Sequence, residues 1–403
     1  MSTNDEERKI TLTSANDKEL NAKLREKFEK TYNEEAAKTK RPNILICGIT
    51  GSGKSSLLQA ILGDIVPKEA IGAGVPQTQE YTRYEANDDS LGNVAVWDSK
   101  GFELGETLEE LAERSVGFID ECAQNPNPDN HIHLIWYAIS GPGARVQADS
   151  EADDKPGFDD VMLKKLADKK QLIVVITKSD ITTKSQKLKI SKALIEKCGI
   201  PENRIIFTVS RETLEGLENR ACEGCDKLID LSLKLLPEAY KEAFIGAQIL
   251  DVQKKVEMIK GKATKAKTIW MTSAATAAGI AFTPIPCADA PLLMGTQTAM
   301  IASLAALYGL KGKELSVLAM PLLAKVAGIF AATSLTKFFP GLGSLISGTV
   351  AGLLTTAMGM FVYPQFEKAA IQKATGLPVD GFVFDFEAFN RVWETVKKAK
   401  DLA

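Results

Sequence analysis

Residues 48–55 read Gly-Ile-Thr-Gly-Ser-Gly-Lys-Ser, a G-x-x-x-x-G-K-S spacing that commits this part of the chain to one local fold. An apolar run from Asn43 to Cys47 precedes it, and a helix-like run from Ser56 to Leu62 follows. Strand, glycine-rich loop and helix in that order form a loop that wraps round a phosphate group. The glycines let the backbone turn several N–H groups inward, and the helix N-terminus adds partial positive charge. Thr50, Gly51, Ser52, Gly53, Lys54, Ser55 and Ser56 are therefore candidate phosphate contacts. Lys54 can reach the β- and γ-phosphates, and the Ser55 hydroxyl is a candidate Mg²⁺ ligand.

The surroundings fit that loop. Short apolar runs at 43–49, 94–97, 131–139, 171–177 and 205–209 alternate with amphipathic stretches, and a further strand near 80–85 suits a sheet edge. This is the pattern of an α/β fold with a mostly parallel sheet covered by helices on both faces. Ahead of it, Leu20, Leu24, Phe28 and Tyr32 recur every four residues, so a helix there lays one stripe on the globular body until Arg41-Pro42 ends it. Beyond it, residues 212–266 read as long amphipathic helix. The expected organisation is a helical extension at 1–42, the α/β domain at 43–217, a helical connector at 218–266, an all-α apolar domain at 267–366 and an amphipathic tail at 367–403.

Three further signatures follow the first. The run Val94 to Trp97 ends in Asp98-Ser99-Lys100-Gly101, a strand closed by D-x-x-G. The Asp98 carboxylate is placed to hold the water shell of Mg²⁺, and the Gly101 N–H to sense the γ-phosphate. Between the two loops, Thr78 is the leading candidate for a second Mg²⁺-ligating hydroxyl, with Thr82 as the alternative. Next, Leu172 to Ile176 runs into Thr177-Lys178-Ser179-Asp180. A carboxylate at Asp180 can accept from guanine N1–H and the 2-amino group together, a donor pair that adenine lacks. The Lys178 stem can lie over the base. Finally, a backbone N–H near Ser210–Arg211 can meet guanine O6.

Together these motifs resemble the signatures of TRAFAC-class P-loop GTPases, closest to the Era-like group, over roughly residues 43–235. The resemblance implies that Lys54, Ser55, Thr78, Asp98 and Asp180 bind GTP or GDP with Mg²⁺, and that Lys54, Thr78 and Gly101 serve hydrolysis. The chain departs from the family in two places. Thr177 stands where N-K-x-D has Asn, a tolerated variant. Gly101 is followed by Phe102, where Ras-like enzymes place a water-orienting Gln. Glu103, Arg145 or a group from a second molecule is then needed, so slow intrinsic hydrolysis is expected, accelerated by self-assembly or a partner. Arg145 reads either as an arginine finger or as a surface residue.

Composition matters most in the C-terminal part. The whole chain is 45% hydrophobic and 25% charged with net charge −3, which gives no sign of a nucleic-acid partner. From Thr268 to Phe366, however, only Asp289, Lys311, Lys313, Glu314, Lys325 and Lys337 are charged. Uncharged stretches at 268–288, 290–310 and 338–366 have the length of membrane spans, although Ala, Gly, Ser and Thr abound in them. Ser344, Gly348, Gly352 and Thr356 set small residues at helix-packing spacing. Lys260, Lys262, Lys265 and Lys267 read either as a juxtamembrane cluster or as a solvated helix end.

Pro284 to Pro291, with Gln297, Met300, Ile301 and Tyr308-Gly309, resembles the C-terminal domain of YcjF-like proteins, which implies membrane association. A more distant resemblance is to the immunity-related GTPases. A soluble bundle with its apolar faces buried against one another is the alternative.

Cys222-Glu-Gly-Cys225 lacks the partners of a zinc site and reads as ordinary helix positions. His131 and His133 share a strand face but make a poor metal site by themselves. The polar, charged N-terminus carries no secretory signal, which with free thiols points to the cytoplasm. The expectation is a cytoplasmic-face GTPase whose nucleotide state controls a membrane-associating or self-assembling helical domain, with a nucleotide-dependent homodimer as a possible form. A soluble switch with a protein-docking helical module competes with it. An Era-like ribosome factor is disfavoured, since no basic RNA-binding stripe is present.

Overall fold

Leu24, Phe28 and Tyr32 stand on one face of the first helix, α1 (22–37), where Leu24 and Phe28 are buried and the Phe28 and Tyr32 rings stack. The computed structural model describes residues 19, 22–63, 81–85, 91–99, 107–144, 158–169, 171–210, 222–281, 289–323 and 348–401. The chain divides into two compact units, Lys40–Val252 and Met1–Thr39 with Gln253–Ala403. The stripe of α1 therefore belongs with the helical unit, and Tyr32 donates a hydrogen bond to the Leu310 carbonyl there (2.8 Å).

In the α/β unit the apolar runs become β1 (Asn43–Cys47), β2 (Tyr81–Glu85), β3 (Ala95–Ser99), β4 (Leu134–Ser140), β5 (Leu172–Thr177) and β6 (Ile205–Phe207). They form one sheet in the order β2-β3-β1-β4-β5-β6. Every pairing is parallel except β2 with β3, which places the antiparallel strand at an edge. Parallel strands joined by helical crossovers are buried on both faces, so successive residues of β1 enter different cores. Leu45 and Cys47 face α3 (Leu108–Gln124), α4 (Phe158–Leu166) and α5 (Lys184–Glu196). Ile44 and Ile46 face α2 (Lys54–Leu62), α6 (Cys225–Leu235) and α7 (Glu238–Ala247). The one indole in β4, Trp136, is fully buried and donates to Ser232 Oγ (3.1 Å).

The stretch expected to be long amphipathic helix is broken. Where described, it consists of α6, α7, α8 (Val252–Gly261) and the start of α9 (Ala263–Ala281). Pro237 has no N–H to continue α6 and instead leads α7. After α7, the Gln248 side chain turns the chain by accepting from Asp251 N–H (2.7 Å) and donating to the Asp251 carbonyl (2.9 Å).

The helical unit continues with α10 (Asp289–Leu307), α11 (312–323, π-helical over Leu315–Ala319), α12 (Gly348–Ala374) and α13 (Phe386–Asp401). Among the described residues no helix is long and apolar enough to cross a membrane. The uncharged segments read as spans are thus not spans where they are described, because Ala, Gly, Ser and Thr dilute their apolarity. Residues 282–288 and 324–347 lie outside the described set. The lysine cluster is also interrupted. Lys262 is buried and donates to the Leu307 carbonyl (2.7 Å), closing the turn of chain that starts α9 onto the end of α10.

Candidate nucleotide site

The glycine-rich loop leaves β1 at Gly48, whose φ of +137° suits only glycine and where a Cβ would collide with the Ala138 carbonyl of β4. Gly51 and Gly53 also have positive φ, and Gly53 caps α2 in the left-handed conformation. Lys54 is the first residue of α2, and Ser55 and Ser56 follow it on the same turn. The Lys54 ammonium folds back over the loop and donates to the carbonyls of Gly48 (2.8 Å) and Ile49 (3.4 Å). The carbonyls of Gly48 and Ile49 thus hold the ammonium against the glycine-rich loop at the start of α2.

A second loop is fastened to it. Thr177, the last residue of β5, donates its hydroxyl to the Ser52 carbonyl (2.6 Å), with the Ile139 carbonyl of β4 also in reach (3.2 Å). Lys178, held at φ +53°, donates from Nζ to the Gly51 carbonyl (2.9 Å). Asp180 stands exposed in the short turn Ser179–Ile181 that follows. On the other side, Ser179 N–H donates to the Thr208 carbonyl (3.1 Å), and Thr208 N–H to the Ile176 carbonyl (2.8 Å). The loops after β1, β5 and β6 therefore converge at one end of the sheet. The Thr177 and Lys178 clamps were not read from the sequence. They join residues 125 and 127 positions apart, a relation that no local spacing records.

Asp98 lies in β3, opposite Ile46 of β1 and Thr82 of β2. Burial pushes its carboxyl up to about 6, and the nearby Lys54 ammonium pulls it back only in part. Its Oδ1 and the Oγ of Ser52 are buried with no hydrogen-bond partner among the described residues, as are Thr208 Oγ1 and Ser210 Oγ. A buried, unpartnered carboxylate oxygen beside a lysine and next to the phosphate loop suits a hydrated divalent cation. The donor set of Asp98 and Ser55 therefore fits Mg²⁺. Thr78, Gly101 and Arg211 lie outside the described residues, as do Phe102, Glu103 and Arg145. Thr82 is described, on the edge strand β2.

Cys222 and Cys225, read as ordinary helix positions, are joined as a disulfide. Gly224 adopts φ +77° and turns Cys222 back beside Cys225, the first residue of α6. The remaining described cysteines, Cys47, Cys122 and Cys198, are free. Burial raises the Cys47 and Cys198 thiols to about 12, which rules out a thiolate role for either near neutral pH.

No protein-family model and no curated protein matches the sequence. Among solved structures the chain is similar to a probable GTP-binding protein, EngB, with 18% identity and a TM-score of 0.33, over 48% of this chain and 99% of that one. It is similar to Aquifex aeolicus Era bound to GDP·AlF4⁻, with 19% identity and a TM-score of 0.31, over 55% of this chain and 68% of that one. A third is the cytosolic domain of the T. maritima FeoB iron transporter in its GMPPNP form, with 14% identity and a TM-score of 0.27, over 83% of this chain and 98% of that one.

Proposed function

We propose that the chain is an Era-like GTPase that binds GTP with Mg²⁺ and hydrolyses it slowly to GDP and phosphate. The observation that carries this reading is the pair of clamps from Thr177 and Lys178 to the carbonyls of Ser52 and Gly51. They tie the loop that leads into Asp180 to the glycine-rich loop, which supports a single nucleotide spanning the two. Lys54 exchanges its loop carbonyls for β- and γ-phosphate oxygens. Ser55, Asp98 and Thr78 would hold Mg²⁺, which would neutralise charge on the phosphates. Asp180 accepts from guanine N1–H and the 2-amino group, and the backbone at Ser210–Arg211 meets O6. Phe102, being apolar, cannot orient the attacking water, so turnover is slow until a second molecule or a partner supplies that group.

The helical unit is the element that this nucleotide state controls. The charge-poor composition of residues 268–366 supports association of that unit with a membrane surface on the cytoplasmic side, or self-assembly as a homodimer. A protein-docking role is the competing class. Calorimetric titration of GTP and ATP into wild type and Asp180→Asn tests the core of the proposal. Wild type should prefer GTP, and the variant should lose GTP affinity by about 10- to 100-fold, since charge-assisted hydrogen bonds are removed. Unchanged GTP affinity in the variant would remove Asp180 from base recognition. GTP turnover by the same wild-type samples should rise per molecule with protein concentration.

A further inference from the structure

Cys222 and Cys225 sit behind the base-reading loop. Between them, Glu223 forms an isolated antiparallel bridge with Val209, its carbonyl accepting from Val209 N–H (2.9 Å). Val209 is flanked by Thr208 and Ser210, and the Thr208 carbonyl in turn accepts from Ser179, the neighbour of Asp180. Gly224 seats on the Phe207 carbonyl so closely that a Cβ there would collide with it. Cys225 is wholly buried in the core that also holds Leu57 and Leu58 of α2, whereas Cys222 is only half-buried. Their Cα atoms are 5.7 Å apart, within the span of about 4.4–6.8 Å that a disulfide bridges.

We propose that Cys222 and Cys225 form a reversible redox switch that sets the affinity of the site for guanine nucleotide; it rests on the guanine reading above. With the disulfide closed, Cys222 is tied to the fixed start of α6, and Glu223 is held against Val209. Once reduced, the two sulfurs cannot remain at bonding distance. Cys225 has no room to move, so Cys222 swings outward and takes the Glu223 carbonyl with it. The loop at 208–210 then loses its bridge to Glu223, and the turn carrying Asp180 loses the order passed on through Thr208 and Ser179.

The chemistry is thiol–disulfide exchange with a low-molecular-weight disulfide of the glutathione class. The accessible Cys222 thiolate attacks one sulfur of the external disulfide and expels one thiolate. Cys225, losing its proton to solvent, then attacks the Cys222 sulfur of the mixed disulfide and expels the second. Two electrons and two protons leave the pair, and the external disulfide becomes two thiols. In the reverse direction an external thiolate attacks Cys222, and Cys225 departs and takes up a proton as a buried thiol, the start of its 11-residue helix offsetting part of the cost that burial puts on the leaving thiolate.

The full chain is equilibrated in glutathione redox buffers, its thiols are counted by alkylation and mass spectrometry, and GDP affinity is measured in each state. The oxidised form should bind GDP about fivefold more tightly than the reduced form. By linkage, saturating GDP should make the potential of the pair more negative by about 20 mV, the same factor converted at 29.6 mV per tenfold. Cys222→Ser should bind GDP equally in both buffers. Equal GDP affinity in wild type while the pair visibly cycles overturns the switch. So does a pair that never changes state, or a Cys222→Ser variant that keeps the redox dependence. No GDP binding in either state overturns the guanine reading itself, and the switch with it, a result distinct from equal binding in both.

Discussion

At the scale of single residues, Asp98 shows a site held in tension with its fold. Its carboxyl is raised from 3.8 to about 6 by burial, so near pH 7 the folded chain carries a desolvated charge that the unfolded chain carries in water. The sign follows from linkage: between about 3.8 and 6 the folded state binds the extra proton, so this group's contribution to stability falls as pH rises through that window. Asp98→Asn removes the penalty. It should raise the stability of the nucleotide-free protein near pH 7 by about 2–3 kcal/mol, read by thermal or urea unfolding, while Mg²⁺-dependent nucleotide binding is lost. A variant that is less stable than wild type would mean that Asp98 is held by groups other than Lys54. Thr177 illustrates the opposite case. Its buried hydroxyl is satisfied by the Ser52 carbonyl, with the Ile139 carbonyl also in reach, so it ties the glycine-rich loop to β5 without a desolvation penalty.

Among the elements, the close approach of α9 and α12 depends on glycines that the small-residue spacing only partly revealed. Gly352 brings α12 to Ala278 and Ala274 of α9, where an added Cβ would stand 3.2 Å from Ala278 Cβ and 3.3 Å from the Ala274 carbonyl. Gly359, outside the spacing noted in the sequence, is tighter, since a Cβ there would fall inside the Trp270 side chain. Gly359→Ala should therefore destabilise the helical unit by about 1–3 kcal/mol through overpacking. Gly295→Ala in α10 meets nothing within 4 Å and should stabilise by up to about 1 kcal/mol through helix propensity alone. Thermal unfolding of the two variants separates packing from propensity, and equal shifts would show that α9 and α12 do not meet at Gly359. The break of the 222–266 stretch into separate helices was hidden for a different reason. The turn after α7 is made by the Gln248 side chain, and an amphipathic pattern continues across such a turn without interruption.

For the molecule as a whole, stability against acid is set partly at the end of the sheet away from the nucleotide loops. His133 accepts from Asn43 N–H through Nδ1 (3.0 Å), lies against the Tyr240 ring at 3.9 Å, and is lowered from 6.5 to about 4, chiefly by burial and then by His131. Between those values the unfolded chain takes up a proton that the folded chain refuses, so stability is lost as pH falls from about 6.5 through 4. Asp98 acts in the opposite sense over part of that range, so the informative quantity is a difference. Urea unfolding of His133→Asn should show a flatter dependence on pH than wild type across the window, and parallel curves would remove His133 as the cause. The sequence by itself determined the strand, glycine-rich turn and helix around residues 43–62, the order of the strands along the chain and the edge position of β2, because each of these is written in local spacing and apolar periodicity. Only the tertiary structure decided that Thr177 and Lys178 clamp the phosphate loop, that Cys222 and Cys225 meet, that Lys262 is buried, and that α1 joins the helical unit. Each of these depends on groups that packing brings together rather than on a pattern of neighbouring residues, and a linear chain carries no separate mark for such partners.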